Sequence, residues 1–244
     1  MWRRGRGQEA PRRVRGRDAS GRTVLMIAAQ EGHKEVVKVL LEHEKGAKNN
    51  QNHSSLYYAV KSGHIEAAKI AIPHEDPTDE NGVAALMRVA SRGDAEMVEL
   101  LAPLQKGAKD KDGNTALMRA ASKSNVEAVR ALIPLQKGKK MMGDARINGL
   151  RISRGTALMM AAAHGQAEAV KLLLNREAGM QDEDGYTALM SAVINNDLEC
   201  AGLLAKREGH MKTTCKWNGY PPRSTALSIA ERRGHREIAD ALSK

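Results

Sequence analysis

The feature that most constrains this chain is an internal echo. Thr23-Val24-Leu25-Met26-Ile27-Ala28-Ala29 returns as Thr115-Ala116-Leu117-Met118-Arg119-Ala120-Ala121, and again in Thr156-Ala157-Leu158-Met159 and Thr187-Ala188-Leu189-Met190. One leucine anchors each of seven copies: Leu25, Leu56, Leu86, Leu117, Leu158, Leu189 and Leu227, at spacings of 31, 30, 31, 41, 31 and 38 residues. The basal period is near 31, and two copies carry insertions of about ten and seven residues. Modules of this length cannot bury their own apolar faces and must stack on one another.

Each copy makes the same local statement. Two residues before the anchor stands Thr23, Ser54, Thr115, Thr156, Thr187 or Thr225, a hydroxyl able to cap a helix; Ala84 is the exception. Three residues after it comes a small residue, as at Ala28, Ala59 and Ala120. A turn follows, with Gly32, Gly63, Gly93, Gly165 or Gly234. A second helix then opens on Glu35, Glu66, Glu96, Glu127, Glu168, Glu199 or Glu237, favoured by the helix dipole. Apolar residues at helical spacing come next, as in Val36, Val37, Val39, Leu40 and Leu41, and a polar turn such as Lys109-Asp110-Lys111-Asp112-Gly113 brings the chain back.

Composition fits stacked layers. Aromatics are 2% of 244 residues, with no Phe and twelve Met. A core without rings suits thin, closely packed helices better than one thick globule. The longest apolar run, Ala157 to Ala163, is far below a membrane span, and no apolar segment follows the N-terminal arginines to make a secretory signal. A cytoplasmic, reducing location is expected, with cytoskeletal association or a nuclear location as alternatives, so the sequon at Asn52 is silent. Cys200 and Cys215 form neither a disulfide framework nor a metal-ligand spacing.

The pattern Asp-x-Asp-Gly-x-Thr-Ala-Leu-Met-x-Ala-Ala, best seen at 110–121 and 182–192, resembles ankyrin repeats over about residues 21–244. The family's Thr-Pro-Leu-His opening reads Thr-Ala-Leu-Met here, a variant similar to ankyrin families expanded in some protists. There the repeats stand alone or follow a kinase domain, and no kinase motif is present here. The resemblance implies an all-α solenoid of stacked helix-turn-helix units with β-turn or hairpin fingers. Residues 1–20 form a basic tail, expected to be disordered. The units run about 21–51, 52–81, 82–112, 113–153, 154–184, 185–222 and 223–244; Glu231 gives the last the polar face a capping unit needs.

Apparent chemistry dissolves on inspection. Gly5-Arg6-Gly7-Gln8-Glu9-Ala10 fits a dinucleotide-binding pattern but has no strand before it. Arg92-Gly93-Asp94 is the turn between helices, with Asp94 as a cap. His33, His64 and His235 share one repeat position, so they lie one module or more apart and cannot share a metal. The first-turn glutamates recur once per module and make no carboxylate pair. Cys200 reads as a small core residue. No enzyme, cofactor or metal site is expected.

The resemblance implies a non-enzymatic protein-binding scaffold, monomeric and without membrane contact, that uses its finger tips and the exposed face of each first helix. Arg92, Lys123 and His164 map to that face, which is mildly basic and suits an acidic partner surface. Asp110, Lys111, Asp112, Asp182 and Asp184 map to the finger tips. The insertions 138–155 and 209–224 carry five and three basic residues, with one acid and none. Trp217 and Tyr220, with Tyr186 just before, put three of the six aromatics at adjacent fingers. Exposed rings beside cations make binding hot spots, although Trp217 could equally fold back to pin its own loop. The alternative is polyanion or nucleic-acid binding through the tail, where residues 1–22 hold eight Arg against two acids, and through the insertions.

Overall fold

The computed structural model describes residues 16–75, 84–105, 107–110, 112–147, 149–216 and 218–243. The chain divides into two compact units, Met1–Asp76 and Pro77–Lys244. In the first, α1 (Val24–Gln30), α2 (Lys34–Glu44), α3 (Ser55–Ser62) and α4 (Ile65–Ala71) form two pairs, with α1 packed on α3 and α2 on α4. The second holds α5 (Ala85–Arg92), α6 (Ala95–Gln105), α7 (Ala116–Ser122) and α8 (Val126–Gln136). It continues with β1 (Asp144–Ile147), β2 (Leu150–Ser153), α9 (Ala157–Ala163), α10 (Ala167–Glu177), α11 (Ala188–Ile194), α12 (Leu198–Glu208), α13 (Ala226–Arg233) and α14 (Arg236–Leu242). Here the odd-numbered helices pack in one row and the even-numbered in another. This is the expected helical-pair array.

The caps follow the sequence. The side chains of Thr23, Ser54, Thr115, Thr156, Thr187 and Thr225 each accept the amide three residues on. The methyl side chain of Ala84 has no oxygen to do so. Gly63, Gly93 and Gly234 close their helices in the left-handed conformation. Two pairs manage that turn without glycine, through Ser124 (φ 55) and Asn196 (φ 54). Beside them Asn125 and Asn195 donate side-chain amides across to the carbonyls of Ala90 and Ala163.

The core is alanine, leucine and methionine. Small side chains such as Ala59, Ala120 and Ala161 are fully buried and allow the close approach. Six anchor leucines are at most 1% exposed, while Leu227 in the last pair is half-buried. Cys200 and Met97 are buried as expected, but Val36 at their repeat position is 43% exposed. The reason is positional: among the described residues α2 packs chiefly on α1 and α4, and no helix precedes its pair to cover the other flank.

A second polar device was not anticipated from the sequence. In the first six pairs the last turn of the second helix, or the residues just beyond it, sends a Glu or Gln back to its own first helix. Glu44, Glu75, Gln105, Gln136, Glu177 and Glu208 accept the anchor-leucine amides at 2.7–3.0 Å, always nineteen residues apart. The first amides of a helix have no partner within it, and here they are buried. The hydroxyl cap takes one and this side chain another. Glu177 also accepts Gly138 N–H at 2.8 Å, and Glu208 accepts Gly179 N–H at 3.0 Å, tying each pair to the loop leaving the previous one. Burial pushes both carboxyls above their ordinary range, although these amide donors work against it.

Candidate functional site

The finger acids are structural hubs. Asp110 Oδ1 accepts Asp112 and Asn114 N–H at 3.1 and 2.8 Å, and its Oδ2 accepts Arg119 Nε–H at 3.0 Å. Asp182 accepts Asp184 and Tyr186 N–H at 2.9 and 2.8 Å and reaches Ser153 N–H at 3.0 Å. Asp18 and Asn49 build the same turn. Such turns satisfy backbone amides that a tight loop would strand. The expected partner-facing role is corrected for Asp182, 5% exposed, and for Asp110, whose side chain is 3% exposed. Asp112 is exposed and Asp184 partly so, while Lys111 lies outside the described residues.

The two hubs titrate differently. Burial raises the Asp110 carboxyl, but Arg119 and Asn114 more than offset it and hold it below its ordinary value. Burial wins at Asp182, whose carboxyl lies high despite its amide donors. Ser191 stands at the repeat position that Arg119 fills, so that cation is missing.

The first insertion folds as an antiparallel hairpin, registered from Asp144↔Ser153 to Ile147↔Leu150, with Gly149 (φ 80) in its turn. Met141, Leu150 and Ile152 bury its base. Its β1 strand walls a groove of about 490 Å³ whose floor is Met118, Arg119 and Ser122 from α7 with Met160 and His164 from α9 and its cap. Asp112, Asn114 and Arg146 complete the wall. His164 Nδ1 lies 2.8 Å from Met160 O, which fixes the ring at the floor. Arg146 and Lys123 are exposed cations with no ion pair among the described residues. Arg92 pairs with Asp94 at 3.4 Å, and Asp94 caps α6 by accepting Met97 N–H. The structure thus brings Asp112 and His164 into one groove, leaves Arg92 and Lys123 exposed outside it, and adds β1, whose short edge had no expected role.

The second insertion corrects the aromatic expectation. Tyr186 is fully buried and its phenol is pushed far up by burial. Tyr220 is 8% exposed, and its hydroxyl accepts Arg233 Nε–H at 2.7 Å. A ring anchoring its own loop offers little contact area, so neither is an exposed hot spot. Trp217 lies outside the described residues. Thr213 organises the loop, bonding Ser224 in both directions and donating its hydroxyl to Pro221 O. Beside it an open pocket of about 450 Å³ is lined by Asn218, Gly219, Tyr220, Arg232, Arg233 and His235.

Among the described residues no three His, Cys, Asp or Glu side chains gather as metal ligands, and no helix is long and apolar enough to cross a membrane. Burial pushes the Cys200 thiol far up, which makes it a poor nucleophile.

No curated protein matches the chain. Many solved chains do, among them the crystal structure of the ankyrin repeat domain of Bcl-3, described as a unique member of the IkappaB protein family. That match has a TM-score of 0.75 at 21% identity and covers 92% of this chain and 100% of the other, a likeness of fold. The family model described as ankyrin repeats in three copies matches residues 9–80, 69–144, 139–215 and 158–244, nearly the whole length. With the Thr-Ala-Leu-Met helix openings, the paired rows and the hairpin finger in place, the chain belongs to the ankyrin-repeat family.

Proposed function

We propose that this protein is a non-enzymatic scaffold that holds a protein partner along the first-helix face and fingers of its second unit. Ankyrin repeats are in general protein-interaction modules, typically without catalysis. The observation carrying the reading is the β1-walled groove: an insertion folded against the repeat face makes a binding surface that stacking alone does not require. Exposed Lys123 and Arg146 favour an acidic partner surface.

The test is proximity labelling in cells with the full chain and with the double variant Lys123→Glu, Arg146→Glu. Reproducible partners whose recovery falls at least tenfold in the variant, with its circular dichroism unchanged, support the reading. Absence of any reproducible partner, or equal recovery by both proteins, overturns it.

A further inference from the structure

The pocket beside the second insertion differs in charge from the groove at the first. Asp112 and Asp144 sit among the cations of the β1 groove. No carboxylate lines the second pocket, whose walls are Arg232, Arg233, His235, Tyr220 and the 218–219 turn. Neither guanidinium has a carboxylate partner among the described residues. Arg233 spends Nε–H on the Tyr220 hydroxyl, which orients it and leaves its terminal N–H donors uncommitted. Arg232 lies over the Tyr220 ring, 5.4 Å from its centroid. A stacked guanidinium keeps its N–H edge directed outward. Tyr220 therefore fixes two adjacent cations, one by its hydroxyl and one by its face.

Cations in the last turn of α13 also complement the helix dipole. That role requires no shared aromatic mount and no cavity free of acids. Two uncompensated guanidiniums are matched by a doubly charged group, whereas a carboxylate would neutralise only one. A phosphate monoester carries about −1.5 to −2 at neutral pH and accepts from several donors at once.

We propose that the pocket formed by Arg232, Arg233, Tyr220 and the 218–219 turn receives a phosphate monoester carried on a side chain of a protein partner. The peptide source rests on the scaffold reading above; the anion chemistry does not.

The experiment titrates the full-length protein with a short phosphoserine peptide, its serine and glutamate counterparts, and inorganic phosphate. Calorimetry and backbone amide shifts at Asn218 and Gly219 are the readouts. The phosphopeptide is expected to bind saturably, at least tenfold tighter than the glutamate peptide and than inorganic phosphate. Arg232→Gln and Arg233→Gln should each weaken it at least tenfold with Tm unchanged. Arg130→Gln, which removes a cation paired with Glu127 elsewhere, should leave it unaltered. If Arg233→Gln unfolds the loop, Arg232→Gln alone decides, because Arg232 makes no hydrogen bond there. Absent saturation, equal binding of the glutamate peptide, or an equal loss in Arg130→Gln overturns the pocket. Inorganic phosphate binding as tightly as the peptide overturns the partner side chain as source. A protein that captures partners but fails these titrations keeps the scaffold reading and loses this one.

Discussion

Glu177 shows how much one side chain can carry in a layer this thin. It serves two backbone amides, the buried one of Leu158 and the half-buried one of Gly138. Glu177→Ala should cost about 1–3 kcal/mol, read as a lower urea midpoint, because the stranded Leu158 donor is buried away from water. Burial holds the carboxyls of Glu177 and Glu208 high, so the folded chain takes up these protons at a higher pH than the unfolded chain. Their contribution is fully present below the unfolded value of about 4.3 and is lost as pH rises through the folded value. Unfolding midpoints should therefore rise as pH drops from neutral toward that value. The pair Glu177→Gln, Glu208→Gln should flatten the rise, as the natural Gln105 and Gln136 at the same position suggest. A flat wild-type profile would refute the assignment. At lower pH the sign reverses, because Asp18, Asp110 and Asp144 are held below their ordinary values and lose their interactions on protonation. The nineteen-residue spacing of this Glu/Gln series is visible in the bare sequence. It reads there as polar loop, because a terminal helix residue shows its burial only once the first helix lies across it.

Among the helices, α5 alone among the first helices opens without a hydroxyl cap. Ala84→Ser should add about 0.5–2 kcal/mol, seen as a higher midpoint in chemical unfolding, by offering the Met87 amide, which bonds the Ala84 carbonyl at 3.0 Å, the hydroxyl acceptor used at the other six openings. The fingers are less forgiving. Gly185 has φ +78, and a Cβ there would stand 2.5 Å from Thr214 N. Gly185→Ala should lower Tm and perturb the 213–224 loop amides first, since strain and a backbone clash coincide at the contact between finger and insertion. An unchanged spectrum there would show that the loop yields freely. Helix openings, turns and first-turn glutamates were legible because their causes are local. The hairpin was foreseen only as a kind of finger, and the burial of Asp182 and Tyr186 was not, because loop composition does not say which polar side chain turns inward to serve amides.

Across the whole molecule, stability accumulates through contacts between neighbouring pairs, so a substitution costs according to how many neighbours it touches. Leu117, fully buried on α7 between α5 and α9, should lose about 2–5 kcal/mol on change to Ala. Half-buried Leu227 on α13 should lose clearly less, and equal losses in denaturant would contradict the neighbour-only account. The repeat by itself determined the helical-pair architecture, the caps and the aromatic-poor core, since period, propensity and small-residue spacing act within one module or between adjacent ones. Tertiary structure alone decided which polar groups face solvent. Asp110, Asp182, Tyr186 and Tyr220 look like surface in a linear reading, yet turn inward to meet donors and apolar walls supplied by other segments. Burial is a property of what packs on top, and a residue's own neighbours in sequence do not encode it.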